Sequence, residues 1–334
     1  MKKTLYIFQN GELRRKSNSL YFESEERKKY IPIEDVSDIY IFGEVDVSKK
    51  FLEFVSQKEI CLHYFNHYGY YIGTFYPREH LNAGYIVIKQ AEHYIDNVKR
   101  INLAKKFVDG SIGQMMQVLK YYRNRIVEGK EEIDKIVNDL VNNRELLKDC
   151  GSIEELMAVE GHSREKYYKT FDFILRNDDF KFEKRTKRPP LNRLNALISF
   201  GNSICYTTVL SEIYKTYLDP RIGFLHATNF RRFSLNLDVA EIFKPIMVDR
   251  LIFTSINKKM ITKKDFDKNM EEIILSEDGR KKFITELDNR MKTTINHRHL
   301  GKSVSYRRLI RLELYKIQKH IMGEKDYVPY QSLW

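Results

Sequence analysis

Apolar and polar residues alternate at period two through residues 1–76, then recur at three- and four-residue spacing from residue 85 onward. In the first stretch TLYIFQ, ELRRKS, SLYFES, KKYIPIE and VSDIYIFG read as strands, with Asn10-Gly11 as a two-residue hairpin turn between the first two. Ser48 is a candidate cap for a short helix over 48–57, and EICLHYF and YYIGTFY add two strands around a turn at 66–69. Residues 77–84 (PREHLNAG) break the alternation and serve as a linker. Beyond it, 85–108, 111–128 and 131–148 predict helices, with Gly110 and Gly129 as their C-terminal stops. Ser152 and Glu155 form a capping box for a helix reaching Glu160; Gly161 interrupts it and Ser163 starts another. A long, mostly apolar helix over 192–217 reads as central core, and 293–320 supplies a last basic helix. The expected fold is α+β with two domains: a small β-sandwich-like domain (1–76), the linker 77–84, and a larger all-α domain (85–334).

Charge divides along the same line. The chain of 334 residues carries 58 Lys and Arg against 46 Asp and Glu, a net charge of +12. Residues 1–84 hold twelve of each sign, so the whole excess lies in the helical part. A neutral β-rich domain followed by a basic helical one suits a protein whose second half handles a polyanion, though a solvated lysine-rich surface reads the same way. Cys61, Cys150 and Cys205 lack CxxC spacing, which argues for a reducing compartment and against a disulfide framework or zinc ribbon. The N-terminus lacks the apolar core of a signal peptide, and no run approaches a membrane span, so the expected location is cytoplasmic.

Candidate chemistry converges on residues 223–250, GFLHATNFRRFSLNLDVAEIFKPIMVDR. His226 precedes a basic turn holding Asn229, Arg231 and Arg232, and a following helix carries Asp238 and Glu241. Positions i and i+3 lie about 60° apart on a helix, so both carboxylates can leave one face. Glu160 would add a third acid if it packs against this segment. Carboxylates about 5 Å apart repel by roughly 3 kcal/mol per pair, so such a cluster persists only where a proton or cation offsets it. Two carboxylates and an imidazole suit Mg²⁺ or Mn²⁺, with positions left open for a phosphate oxygen and a nucleophile. Arg231 and Arg232, with Lys184 and Arg185 in the basic loop KFEKRTKRPP (181–190), are candidates to hold a DNA backbone. His63, His67, His162 and the pair in His297-Arg298-His299 lack carboxylates at ligand spacing and read as structural or surface residues. Neither a dinucleotide fingerprint nor a P-loop occurs, and no internal repeat is evident.

GFLH…SLNLDVAEIFKP, with the upstream MAVEGHSREKYY, the intervening RPPLNRLNALISFGN and the early IYIFGEVDVS, resembles the universal CRISPR-associated integrase family, "Cas protein one". The resemblance covers the whole chain. It implies a metal-dependent DNA endonuclease and integrase that inserts prespacer DNA into a CRISPR array by 3′-hydroxyl attack on a phosphodiester. By motif position, Glu160, His226 and Glu241 are then the metal ligands and catalytic residues, with Asp238 as an acidic neighbour. Some members carry Asp where Glu241 stands. The resemblance also implies an asymmetric homodimer, with the β-rich domain dimerising, two of which flank a dimer of a second adaptation protein, "Cas protein two". Two other readings compete: a non-catalytic DNA-binding scaffold, and an RNA-processing ribonuclease.

Overall fold

The strands of the N-terminal part run β1 (Lys3–Ile7), β2 (Gly11–Lys16), β3 (Ser19–Glu23), β4 (Lys28–Pro32), β5 (Val36–Ile41) and β6 (Val45–Val47), then helix α1 (Lys49–Gln57), then β7 (Cys61–Phe65) and β8 (Tyr71–Phe75). They build two four-stranded sheets, ordered β1-β5-β7-β8 and β4-β3-β2-β6. Alternation puts Leu13, Leu20 and Phe22 of one sheet and Ile39, Ile41 and Leu62 of the other into one buried core, which Phe51, Phe54 and Val55 of α1 complete. Ser48 caps α1, its side chain accepting from the Phe51 N–H. His63 is buried and bonded through Nδ1 to Thr74 Oγ1 at 2.7 Å, a structural role.

The expected hairpin at Asn10-Gly11 does not form. β1 pairs in parallel with β5, whereas β2 pairs antiparallel with β3, so the two strands enter different sheets. Asn10 instead accepts a hydrogen bond from the Glu44 N–H at 2.9 Å. Gly11 is needed because a Cβ there would lie 2.3 Å from the Glu23 carbonyl oxygen. The tight turn follows β2, where Ser17 takes a left-handed φ of 52°.

The computed structural model describes residues 2–78, 81, 83–226, 233–268, 273–297 and 300–332, and the chain divides into units Met1–Asn82 and Ala83–Trp334. The second unit is mainly helical: α2 (Gly84–Ile95), α3 (Asn97–Arg123), α4 (Lys130–Leu146), α5 (Ile153–Lys169), α6 (Phe171–Leu175), α7 (Arg193–Ile213) and α8 (Leu235–Lys244), a π turn over Pro245–Asp249, and α9 (Arg250–Asn257). Short ribbons β9–β10 (Phe266–Lys268, Ile273–Leu275) and β11–β12 (Thr294–His297, Lys302–Ser305) flank α10 (Glu277–Lys292) and precede α11 (Tyr306–Ile321). The expectation of an all-α domain is therefore corrected at these ribbons. The single helix expected over 293–320 is a ribbon followed by a helix.

Three helix boundaries also differ. The first break falls at Asp96, whose side chain accepts from the Val98 and Lys99 N–H groups, and α3 runs on through Gly110. Gly110 serves packing instead: a Cβ would lie 2.7 Å from Pro329 and 3.2 Å from Ile242. Gly129, with φ 82°, precedes α4 as its N-cap. α5 continues through Gly161, so Glu160 lies within a helix and not at a junction. Ser152 caps this helix by accepting from the Glu155 N–H.

α3 packs against α2, α4, α5 and α8, while α7 lies on α8. Where α3 and α8 pack together, Leu103, Phe107, Ile112 and Met115 of the first and Val239, Ile242 and Phe243 of the second are all fully buried. Each such side chain contributes about 1.5–3 kcal/mol by leaving water. α7 is buried almost all round, as its apolar sequence predicts. Among the described residues no helix is long and apolar enough to cross a membrane.

Candidate active site

Helix α8 carries two acids toward different partners. Asp238, fully buried, faces the turn before α8. Its Oδ2 accepts from the backbone N–H groups of Phe224 (2.6 Å) and Leu225 (3.1 Å), and its Oδ1 accepts from the N–H of His226 (2.9 Å) and from His226 Nδ1 (2.8 Å). An ionised carboxylate only accepts, so Nδ1 carries the proton and the lone pair lies on Nε2. All four acceptor sites of Asp238 are thereby filled. It is a positioning group that fixes the tautomer and orientation of His226.

The sequence dictates this close approach. A Cβ at Gly223 would lie 2.8 Å from the Ser234 backbone and 2.9 Å from Asp238 Oδ2, so only glycine lets the turn reach α8. Ser234 Oγ accepts from the Gly223 N–H and donates to the Arg221 carbonyl, both at 2.8 Å. From α2, buried Gln90 donates to the carbonyls of Asp219 and Ile222 and accepts from the Asp219 N–H. Arg100 of α3 donates to the Phe224 carbonyl at 3.0 Å.

Glu241, one turn further along α8, meets Glu160 of α5 across a shared guanidinium. Arg164 donates through Nε to Glu160 Oε1 at 2.7 Å and through Nη2 to Glu241 Oε2 at 2.5 Å, with Ser111 Oγ 3.0 Å from the same Nη2. Lys244 Nζ bonds the other Glu241 oxygen at 2.6 Å, and Tyr206 OH lies 3.4 Å from it. The repulsion expected between these acids is thus offset from within the protein. Burial on its own would push the Glu241 carboxyl up, yet Lys244, Arg164 and then His226 hold it well below the usual carboxylate range. Burial likewise opposes the charged form of His226, but Asp238, with Glu241 behind it, raises the imidazole above its ordinary value.

By donor chemistry, Glu160, Glu241 and His226 Nε2 could hold a hard divalent cation. As the side chains stand, both carboxylates are turned onto cationic partners, and among the described residues no group of three or more His, Cys, Asp or Glu forms a ready metal nest.

The candidate DNA contacts fare differently from one another. Arg231 and Arg232 lie outside the described residues, as do Asn229, Arg298 and His299. Lys184 is exposed. Arg185 is tied to α7 through Asn195 Oδ1 (3.0 Å) and Ser199 Oγ (2.9 Å), and Asn195 in turn donates to the Lys184 carbonyl. The basic loop is therefore anchored at its centre. Its Lys187 is placed to feel Glu241 and Glu160: burial, Arg185 and Lys244 lower its ammonium pKa, while the two glutamates act against them.

The acids and the histidine are legible in the sequence, whereas the cations Arg164 and Lys244, with Tyr206 and Gln90, carry no motif that marks them. Helical spacing could have found two of them, since Arg164 is i+4 from Glu160 and Lys244 is i+3 from Glu241.

Comparison with known proteins bears on the chain as a whole. A CRISPR-associated endonuclease Cas1 of Thermodesulfovibrio yellowstonii is 58% identical over 334 residues, covering all of both chains. One of Thermotoga maritima is 47% identical over 324 residues, covering 97% of this chain and 98% of that one. A solved structure of a CAS1 protein from Thermotoga maritima superposes with a TM-score of 0.89 at 45% identity, covering 98% of this chain and 100% of the other. Residues 5–289, which include the whole site, match the family described as CRISPR associated protein Cas1, and the chain belongs to that family.

Proposed function

We propose that this protein is a divalent-cation-dependent DNA endonuclease and integrase that joins prespacer DNA to a CRISPR array by attack of a 3′-hydroxyl on a phosphodiester. The observation that carries this reading is the convergence of Glu160 and Glu241 with a histidine whose Nε2 is left available by Asp238, within a chain of the Cas1 family. A bound Mg²⁺ or Mn²⁺ would supply Lewis-acid polarisation of the phosphodiester and a lowered pKa at the attacking oxygen. Glu160, Glu241 and His226 would hold it, while Asp238 keeps the imidazole in the ligating tautomer. Lys244 remains beside Glu241 as a fixed positive charge, where it favours the extra negative charge of a pentacovalent phosphate. The basic excess of the helical part supports a nucleic-acid substrate held by its backbone. On this reading DNA, a second copy of the chain and the second adaptation protein are its partners, and it works in the cytoplasm.

The test is strand joining on a branched DNA with Mn²⁺, with and without chelator. Glu160→Ala and His226→Ala are expected to lower the rate by about a hundredfold or more while leaving the melting temperature readable. A non-catalytic scaffold would bind the same DNA with no cation requirement, and wild-type activity in either variant would sink the proposal. An RNA substrate preferred in this assay would favour a ribonuclease.

A further inference from the structure

Four buried polar atoms have no hydrogen-bond partner among the described residues: Arg164 Nη1, the Tyr167 hydroxyl, and both carboxylate oxygens of Asp249. Asp249 is 1% exposed and ends the π turn that follows α8. Arg164 is the cation acting most strongly on it, ahead of Lys244, and Asp249 in turn acts on Arg164. The Tyr167 hydroxyl approaches Asp249 without completing a well-formed hydrogen bond. A buried carboxylate with neither oxygen bonded is costly, and native proteins retain one only for a reason.

The site supplies that reason. Arg164 bonds one oxygen of both Glu160 and Glu241, so it competes with any cation those two carboxylates would hold. The two cannot share the same oxygens. A guanidinium that lets go of a carboxylate inside the protein needs another acceptor close by, because a buried unpaired charge is far more costly than a paired one. Among the described residues its Nη1 lacks a partner, and Asp249, whose charge acts on Arg164, offers two unsatisfied acceptor oxygens.

We propose that Asp249 is a positioning residue that receives the Arg164 guanidinium when a divalent cation takes over Glu160 and Glu241. The site then alternates between an internal ion pair and a metal-loaded form, with Arg164 turned from the glutamates to Asp249. This rests on the metal-dependent reading above.

The test is Mn²⁺ binding to the full chain without DNA, measured by calorimetry and by the loss of the free-ion electron paramagnetic resonance signal. Asp249→Asn is expected to weaken Mn²⁺ binding about tenfold, the loss of one charge-assisted acceptor. Arg164→Met removes the competing cation and should tighten binding. In that background Asp249→Asn should change the affinity less than twofold, since nothing remains for Asp249 to receive. A tenfold loss persisting in the Arg164→Met background, or no loss in the single variant, would overturn the role. Wild-type protein that binds no Mn²⁺ would overturn the metal-dependent reading itself. Should Arg164→Met fail to fold, a Mn²⁺-soaked crystal of the wild type decides: Arg164 bonded to Asp249 is the expected result, and Arg164 still bridging both glutamates is the contrary one.

Discussion

Asp238 holds a turn and an imidazole in place with a single carboxylate. It accepts three backbone N–H groups and one imidazole N–H, so removing its charge loosens a whole turn as well as a tautomer. Asp238→Asn should cost about 2–4 kcal/mol of stability, since an amide cannot accept all four bonds, and should lower strand joining more than it lowers DNA affinity. Thermal melting and a comparison of binding with turnover check this. Asp249 offers a test of opposite sign. Burial raises its carboxyl to about 6 from 3.8, so the native state holds this proton more tightly than the unfolded chain. Its contribution to stability therefore falls as pH rises from about 4 to about 6, by about 3 kcal/mol in all. Denaturant unfolding of wild type against Asp249→Asn should show the difference growing in favour of the variant across that window. A difference that stays flat would mean Asp249 is paired in solution. At this scale the sequence was most informative about groups with distinctive chemistry. Glu160, His226, Asp238 and Glu241 stood out, whereas Arg164 is one arginine among many until its neighbours are known.

Elements were legible where local forces decide them and not where distant contacts do. Ser48 and Ser152 cap helices as their side chains predict, because an N-cap bond closes within three residues. Asn10-Gly11 has the chemistry of a hairpin, yet sheet pairing with Val36–Ile41 draws β1 away and leaves the dipeptide as a crossing between sheets. Gly110 resembles a helix stop, but its small size admits the C-terminal segment: Pro329 lies against it, Lys106 and Gln114 donate to the carbonyls of Tyr327 and Tyr330, and Tyr330 stacks on Phe243 of α8. No window of sequence contains a contact more than 200 residues away. Gly110→Ala should therefore destabilise by about 1–3 kcal/mol although alanine is the better helix former. Truncation before Lys325 should abolish that penalty and let the intrinsic preference for alanine show. Melting curves of the two pairs check this; a penalty that survives truncation would mean that Ile242, the other neighbour of Gly110, causes it.

Across the whole molecule, the change in hydrophobic period and the uneven charge mark the same division. The strand-rich unit Met1–Asn82 is near neutrality, and the excess of positive charge belongs to the helical unit Ala83–Trp334. Duplex affinity should accordingly fall steeply with salt in the full chain. Charge reversal of several exposed lysines of the helical unit should flatten the slope of log affinity against log salt, and equal changes on the strand-rich unit should leave it nearly unaltered. Equal effects from both sets would place the DNA footprint across both units.

Arg164 and Lys244 already neutralise the acids that an ion would otherwise have to join. On the metal-dependent reading proposed above, folding does not wait on ion supply: strong chelators should leave the purified chain folded while stopping strand joining, unlike a zinc finger, which unravels when stripped. Such a protein could be stored poised, with switching on set by the ions its surroundings provide.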